Sequence, residues 1–264
     1  MKRHSALDAL VLSFYSQPLY RDVATNWRGT GFAYLLMLLA LCWVPEMVKL
    51  QMGFSKYVSG EAAQLVKQIP AITIADGEVT TDVETPYFIK DPEKGKVLAI
   101  IDLTGQYTSL DNSPADLLLT KHQVFTRNNY EVRTYDLKGV KSFHLDQNRV
   151  RGWLNVARSW MVVVIYPCAL LFSFVYRIVQ ALIYGLCGLI ISKIVKVELE
   201  YLTLLRLATV AVTPAVMLET LRSVASIQIP LWSLLCFLLA MGYLFFAVKA
   251  NTVQEAGPPA QPIT

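Results

Sequence analysis

Apolar residues in this chain gather into four long blocks separated by polar stretches, and the spacing of the blocks predicts the architecture. The first block covers 30–49; it opens Gly31-Phe32-Ala33-Tyr34-Leu35-Leu36 and closes near Pro45-Glu46. The second, 160–192, reads WMVVVIYPCALLFSFVYRIVQALIYGLCGLIIS, with Arg177 as its one charge. The third, 202–221, contains Pro214, and the fourth, 229–248, stops at Lys249. Crossing a hydrocarbon core of about 30 Å takes about 20 apolar residues. A buried helix of a soluble domain is amphipathic or short, so these blocks predict membrane spans.

The second block is too long for one straight crossing and short for two. As a single helix it would run to about 50 Å, tilting or projecting, with Pro167 as a possible kink. As a hairpin it would turn near Tyr176-Arg177-Ile178-Val179, which holds no turn residue. The positive-inside bias places Lys2, Arg3, Arg21 and Arg28, and with them the N-terminus, in the cytoplasm. One crossing then leaves Lys193, Lys196, Arg206 and Lys249 cytoplasmic; a hairpin moves all four outside. Four spans are therefore expected, with five as the alternative. A contact between Arg177 and Glu219 is expected to accompany five spans, where the two share a face.

Between the first two blocks, the pattern changes to that of a soluble domain. Ala62, Ala63, Leu65, Val66 and Ile69 mark an amphipathic helix closed by Pro70. Short strand patterns follow at 71–75, 87–90, 96–102, 123–126 and 130–135. Asp76-Gly77, the 91–95 segment and Asn128-Asn129 supply turn signals. A small α+β domain with a mainly antiparallel sheet is predicted. Ahead of the first block, Ala6-Leu7-Asp8-Ala9-Leu10-Val11-Leu12 predicts a short interfacial helix ending before Pro18.

The predicted fold is a membrane α-helical bundle with an inserted small extracytoplasmic α+β domain. Its parts are a cytoplasmic amphipathic N-terminus (1–29), a first span (30–50), the α+β domain (51–152), a C-terminal bundle (153–250) and a disordered tail (251–264). Trp153 and Trp160 mark re-entry into the membrane, as interfacial aromatics do. About 30 residues precede the first block and no A-x-A site follows it, so an uncleaved anchor is expected rather than a signal peptide.

Composition agrees with a membrane protein. Of 264 residues 54% are apolar and 17% charged, against about a quarter charged in a soluble domain. The net charge of +4 lies beside helix ends and forms no basic stripe interleaved with aromatics, which argues against nucleic acid. Cys42, Cys168, Cys187 and Cys236 all sit in apolar blocks, and His4, His122 and His144 are scattered. This excludes a disulfide framework in the polar domain and predicts no metal site and no cofactor.

Candidate chemistry is sparse. Asp102-Leu103-Thr104-Gly105 follows an apolar strand, but an aspartic protease needs two such loops. A strand ending in a polar turn is the expected reading. Arg177 is the sharpest intramembrane residue, because an ionisable group in a bilayer marks a pathway or a paired site. Glu219 lies three residues before Arg222 and is placed to pair with it on one helix face. Thr213-Pro214 interrupts its span as either an ion site or a packing kink, the kink being favoured. Gly185 and Gly188 predict close helix packing. Glu46, at the outer end of the first span, is expected to be an inexpensive surface charge. There is no P-loop, no zincin motif and no G-x-S-x-G.

Three segments carry a resemblance: Phe14-Tyr15-Ser16-Gln17-Pro18-Leu19-Tyr20-Arg21, Ile101-Asp102-Leu103-Thr104-Gly105, and Leu205-Arg206-Leu207-Ala208-Thr209-Val210-Ala211-Val212-Thr213-Pro214. With the span pattern they resemble the bacterial membrane-protein family of unknown function 1189. The C-terminal third is also distantly similar to Yip1-type membrane domains, which have five spans. The first resemblance implies residence in the bacterial cytoplasmic (inner) membrane, with Pro18, Tyr20 and Arg21 as an interfacial N-terminal motif and no catalytic residue to carry over. Some relatives are labelled maltodextrin-utilisation proteins, implying at most a place beside a transporter. The expected function is non-enzymatic, as an accessory or scaffold for a transport or envelope complex with a membrane-protein partner. The alternative is a small-solute or ion transporter or channel using Arg177, Glu219, Thr213 and Pro214.

Overall fold

The computed structural model describes residues 4–111, 113–128 and 131–252. Most of the tail expected to be disordered (253–264), the second half of the Asn128-Asn129 turn and the first residue of the strand expected at 130–135 lie outside those residues. The chain divides into two units, 1–50 with 162–264, and 51–161.

The helical unit starts with α1 (Ala6–Leu12), over the residues the pattern predicted. Its N-terminus is a capping box: the Ser5 hydroxyl accepts from the Asp8 amide at 3.1 Å, and the Asp8 carboxylate accepts from the Ser5 amide at 2.9 Å. The helix ends before Pro18, as expected, and Pro18 stands at the start of a second helix that the pattern did not predict. Ser16 caps α2 (Gln17–Asn26) through the Leu19 amide at 3.3 Å, leaving Pro18 in the first turn where its missing N–H costs nothing. The α3 helix (Thr30–Ser59) outlasts the expected first span and contains Pro45.

The long apolar block is one continuous helix. The α5 helix (Gln147–Val195) has 49 residues, about 73 Å, and passes through both Pro167 and Arg177. The third block, in contrast, is two helices, α6 (Tyr201–Ala211) and α7 (Thr213–Val224), divided at Val212 just before Pro214. Proline lacks the N–H that would bond four residues back, so a break there follows from its chemistry. The last helix is α8 (Trp232–Ala250). Four candidate spans result: one beginning at α3, then α5, α6 with α7, and α8, each long and apolar enough to cross a membrane.

The packed core of this unit lies where α2, α6 and α8 meet. Leu19, Tyr20 and Trp27 are fully buried there with Leu204, Leu207, Leu244 and Val248. Gly185 and Gly188 let α5 approach α6, because a Cβ would come within 3.1 Å of the Tyr201 ring and 3.3 Å of Leu204. Elsewhere α5 faces outward: no residue of its most apolar window is buried.

The second unit is built on two sheets where one was predicted. Its α4 helix (Glu61–Lys67) precedes β1 (Ile72–Ala75) and β2 (Glu78–Thr81). Asp76 and Gly77 join these two strands with positive φ at both positions, 49° and 83°, the geometry of a tight primed turn. Then come β3 (Tyr87–Lys90), β4 (Val97–Ile101), β5 (Leu117–Leu119), β6 (Gln123–Asn128), β7 (Glu131–Asp136) and β8 (Ser142–Leu145). One sheet has the order β2-β1-β8 and the other β3-β4-β5-β6-β7; every pairing is antiparallel except β4 with β5.

The strand period of two divides the central strands between two cores. Ile101 and Leu119 join Ile72, Ile74 and Val79 of the smaller sheet. Their neighbours Ile100 and Leu118, paired in register, face the other way onto Leu110 and Ala115 of the 102–116 loop. That loop covers a sheet face, so what holds it matters to the whole unit.

Candidate functional site

Two clusters use the residues singled out by sequence, and they differ in kind. The first is the loop after β4. Asp102 is fully buried, and its carboxylate accepts from the Thr104 amide at 2.8 Å, the Thr104 hydroxyl at 2.6 Å and the Tyr107 amide at 2.6 Å. Burial pushes its pKa up, but these bonds outweigh burial and hold it below the ordinary 3.8. The carboxylate is engaged in closing its own loop. Arg127 pins the far end of that loop by donating to the carbonyls of Leu110 and Ser113.

The second cluster is inside the helical unit. Arg177 Nη2 forms an ion pair with Glu219 Oε2, and Nη1 donates to Gln180 Oε1 at 2.5 Å. Gln180 Nε2 donates in turn to the Tyr184 hydroxyl at 2.7 Å. Ser173, Arg177, Gln180 and Tyr184 are spaced four, three and four apart, which puts them on one face of α5. From that face Ser173 accepts a 2.9 Å bond from Trp43 Nε1 of α3. The Arg177 side chain is 12% exposed and that of Glu219 45%.

Arg177, Glu219, Ser173 and Trp43 line a cavity of about 280 Å³ that also receives Glu46 from α3 and Arg222 from α7. The expected Glu219–Arg222 pair is not formed. Glu219 goes to α5, while Arg222 lies 5.0 Å from the Trp232 ring centroid and donates to the Ile227 carbonyl at 3.3 Å. Glu46, expected to be an inexpensive surface charge, has a buried Oε1 without a hydrogen-bond partner.

The Arg177–Glu219 contact was expected to accompany five spans, yet it occurs with α5 unbroken. The physical reason is antiparallel packing. Arg177 and Glu219 are equally far along the chain from Glu198, in the connector 196–200, so helices running back from that connector bring them level. The contact therefore does not require a hairpin at Arg177.

The other named residues lie elsewhere. Thr213, also fully buried, shares a 2.8 Å hydrogen bond with the Tyr34 hydroxyl, which ties the α6–α7 break to α3. Pro214 stands in the first turn of α7. Tyr20, expected at an interface, is fully buried and donates to the Ser13 carbonyl at 2.6 Å; burial raises its pKa. Arg21 Nε donates to the Ala250 carbonyl at 2.7 Å, capping the C-terminal end of α8. Sequence reasoning missed Asp22, a buried carboxylate that accepts from Asn26 Nδ2 at 2.7 Å and Trp27 Nε1 at 3.2 Å. It also missed Gln180, Tyr184 and Ser173, which the helical spacing around Arg177 would have marked. Among the described residues no group of three or more His, Cys, Asp or Glu is gathered as a metal site would require.

The family model described as "Protein of unknown function (DUF1189)" matches residues 7–248, and the chain belongs to that family. The match carries the first resemblance noted in the sequence and not the Yip1-type one. Neither the search of curated proteins nor that of solved structures gave a match.

Proposed function

We propose that this member of the family is an integral protein of the bacterial cytoplasmic membrane that works without catalysis, as an accessory or scaffold for a transport or envelope complex. In this reading α3, α5, α6 with α7, and α8 are four spans, the N-terminus is cytoplasmic and residues 51–152 are extracytoplasmic. One observation carries it: α5 turns apolar residues outward along its length and keeps its polar face for bonds within the unit. Outward apolar surface suits lipid or a partner's span. The Arg177–Gln180–Tyr184 chain with Glu219 spends its donors and acceptors internally, as a structural lock does.

The test joins topology to assembly. Reporters fused after Thr252 and within 91–95 should map to opposite sides of the membrane, and the chain should resist carbonate extraction. Crosslinking followed by purification in mild detergent should recover a membrane partner in fixed stoichiometry. A solitary monomer across several detergents would overturn the scaffold reading.

A second reading, a small-solute or ion transporter, is favoured by the four charged residues on one cavity. It requires that Arg177→Gln and Glu219→Gln abolish solute flux in proteoliposomes at unchanged protein abundance.

A further inference from the structure

The cavity charges are not all spoken for. Arg177 and Glu219 neutralise each other, which leaves Glu46 and Arg222 on the same cavity. Glu46 Oε1 and Arg222 Nε are both buried atoms with no hydrogen-bond partner. The remaining contacts of Arg222 given above are a carbonyl and an aromatic ring, neither of which is a counter-charge. Withdrawing a charged group from water without satisfying it is costly, and here two groups of opposite sign on one cavity bear that cost without an ion pair joining them.

The charge pattern selects a ligand class. A simple cation would answer Glu46 and leave Arg222, and a simple anion would do the reverse. A zwitterion with an N–H-bearing ammonium and an anionic oxygen group answers both, since guanidinium binds phosphate through paired N–H donors. A cavity of about 280 Å³ is of headgroup size. One wall is Tyr176, which is 64% exposed, and further along the same face of α5 Val179 and Ile183 are 51% and 53% exposed, so an apolar track leads from the cavity along the outside of α5.

We propose that this cavity binds the phosphoethanolamine headgroup of a membrane lipid, the ammonium on Glu46 and the phosphate on Arg222, with the acyl chains along Tyr176, Val179 and Ile183. The lipid as source rests on the membrane reading above; the zwitterion does not.

The full chain, delipidated in detergent, is reconstituted into nanodiscs of phosphatidylcholine containing equal small fractions of phosphatidylethanolamine and phosphatidylglycerol. Lipid retained on re-extraction is counted by native mass spectrometry. Phosphatidylethanolamine should be retained about tenfold over the other two, because trimethylammonium offers Glu46 no N–H and glycerol offers it no cation. Glu46→Gln and Arg222→Gln should each remove about tenfold of that preference, with Arg222→Lys keeping part of it. Melting in pure phosphatidylcholine reports whether each variant is folded; if one is not, the wild-type lipid comparison decides alone. Equal retention of the three lipids overturns the proposal, as does a preference that survives both substitutions. A parallel arm adds free phosphoethanolamine to the protein in detergent. Stabilisation there without any lipid preference overturns the lipid as source. Release of the chain by carbonate would overturn the membrane reading, while this arm would still report on the cavity.

Discussion

Asp102, fully buried, and Glu219, half-exposed, are the carboxylates at the centre of the two clusters, one in each unit, and they are held in opposite ways. The partners of Asp102 are two and five residues away in its own loop, so the chain satisfies the charge as it turns. The partner of Glu219 is 42 residues away on another helix. The first arrangement is local and uses backbone amides; the second exists only once α5 and α7 have packed. In the first a lost carboxylate opens a loop. In the second a lost arginine strands a charge among apolar helices.

The comparison predicts a ranking. Arg177→Ala should be the most damaging change, costing about 3 kcal/mol, because Glu219 and Gln180 lose their shared partner in an apolar setting. Thermal melting in detergent reads it. The Arg177→Met/Glu219→Gln double variant should recover much of the loss, and strictly additive losses would sink the account of the pair as a lock.

Asp102→Ala should cost about 2 kcal/mol, confined to the second unit, with faster hydrogen exchange in β4, β5 and the loop between them. Its folded pKa is depressed, so its contribution is complete above 3.8 and is lost as pH falls through the lower folded value. Acid unfolding of this unit should therefore begin below about pH 4 in part through Asp102, and Asp102→Asn should flatten that limb. An unchanged acid limb would count against the charged state of Asp102 as the element holding the loop.

Glycine substitutions sharpen the contrast between turn and bundle. Gly77→Ala should cost about 1–2 kcal/mol, since its φ is 83° and a Cβ would lie 2.8 Å from the Lys138 backbone. Gly185→Ala should cost about 1 kcal/mol, because the Tyr201 ring, 3.1 Å from a new Cβ, can give way. Gly242→Ala on α8 meets nothing within 4 Å and should be neutral or stabilising by up to about 1 kcal/mol. Denaturant melts of the three variants check the order.

Several elements were legible in advance because their causes are local. The Ala6–Leu12 helix has its capping residues in the sequence, the Asp76-Gly77 turn is one of the few dipeptides that suit two positive φ values, and Tyr87–Lys90 is bounded by turn signals. Three strands went unread. Leu117–Leu119 is three residues long, Glu78–Thr81 has Val79 as its one apolar residue, and Ser142–Leu145 is defined by its pairing with β1. The first helix ends before Pro18 as expected, but the helix that Pro18 opens went unread, because its start is marked only by the Ser16 cap.

By itself the sequence determined the four apolar blocks, the change to an α+β composition between the first two, and the presence of one arginine within the longest block. Hydropathy and period act residue by residue, so no tertiary information is needed to read them. Only the tertiary structure decided that this block is a single helix, that Arg177 meets Glu219 instead of leaving it to Arg222, and that Glu46 and Arg222 share a cavity. Those facts depend on which helices pack and at what level, and that follows from small residues such as Gly185 and Gly188 and from the Val212 break, whose effects appear only across helices.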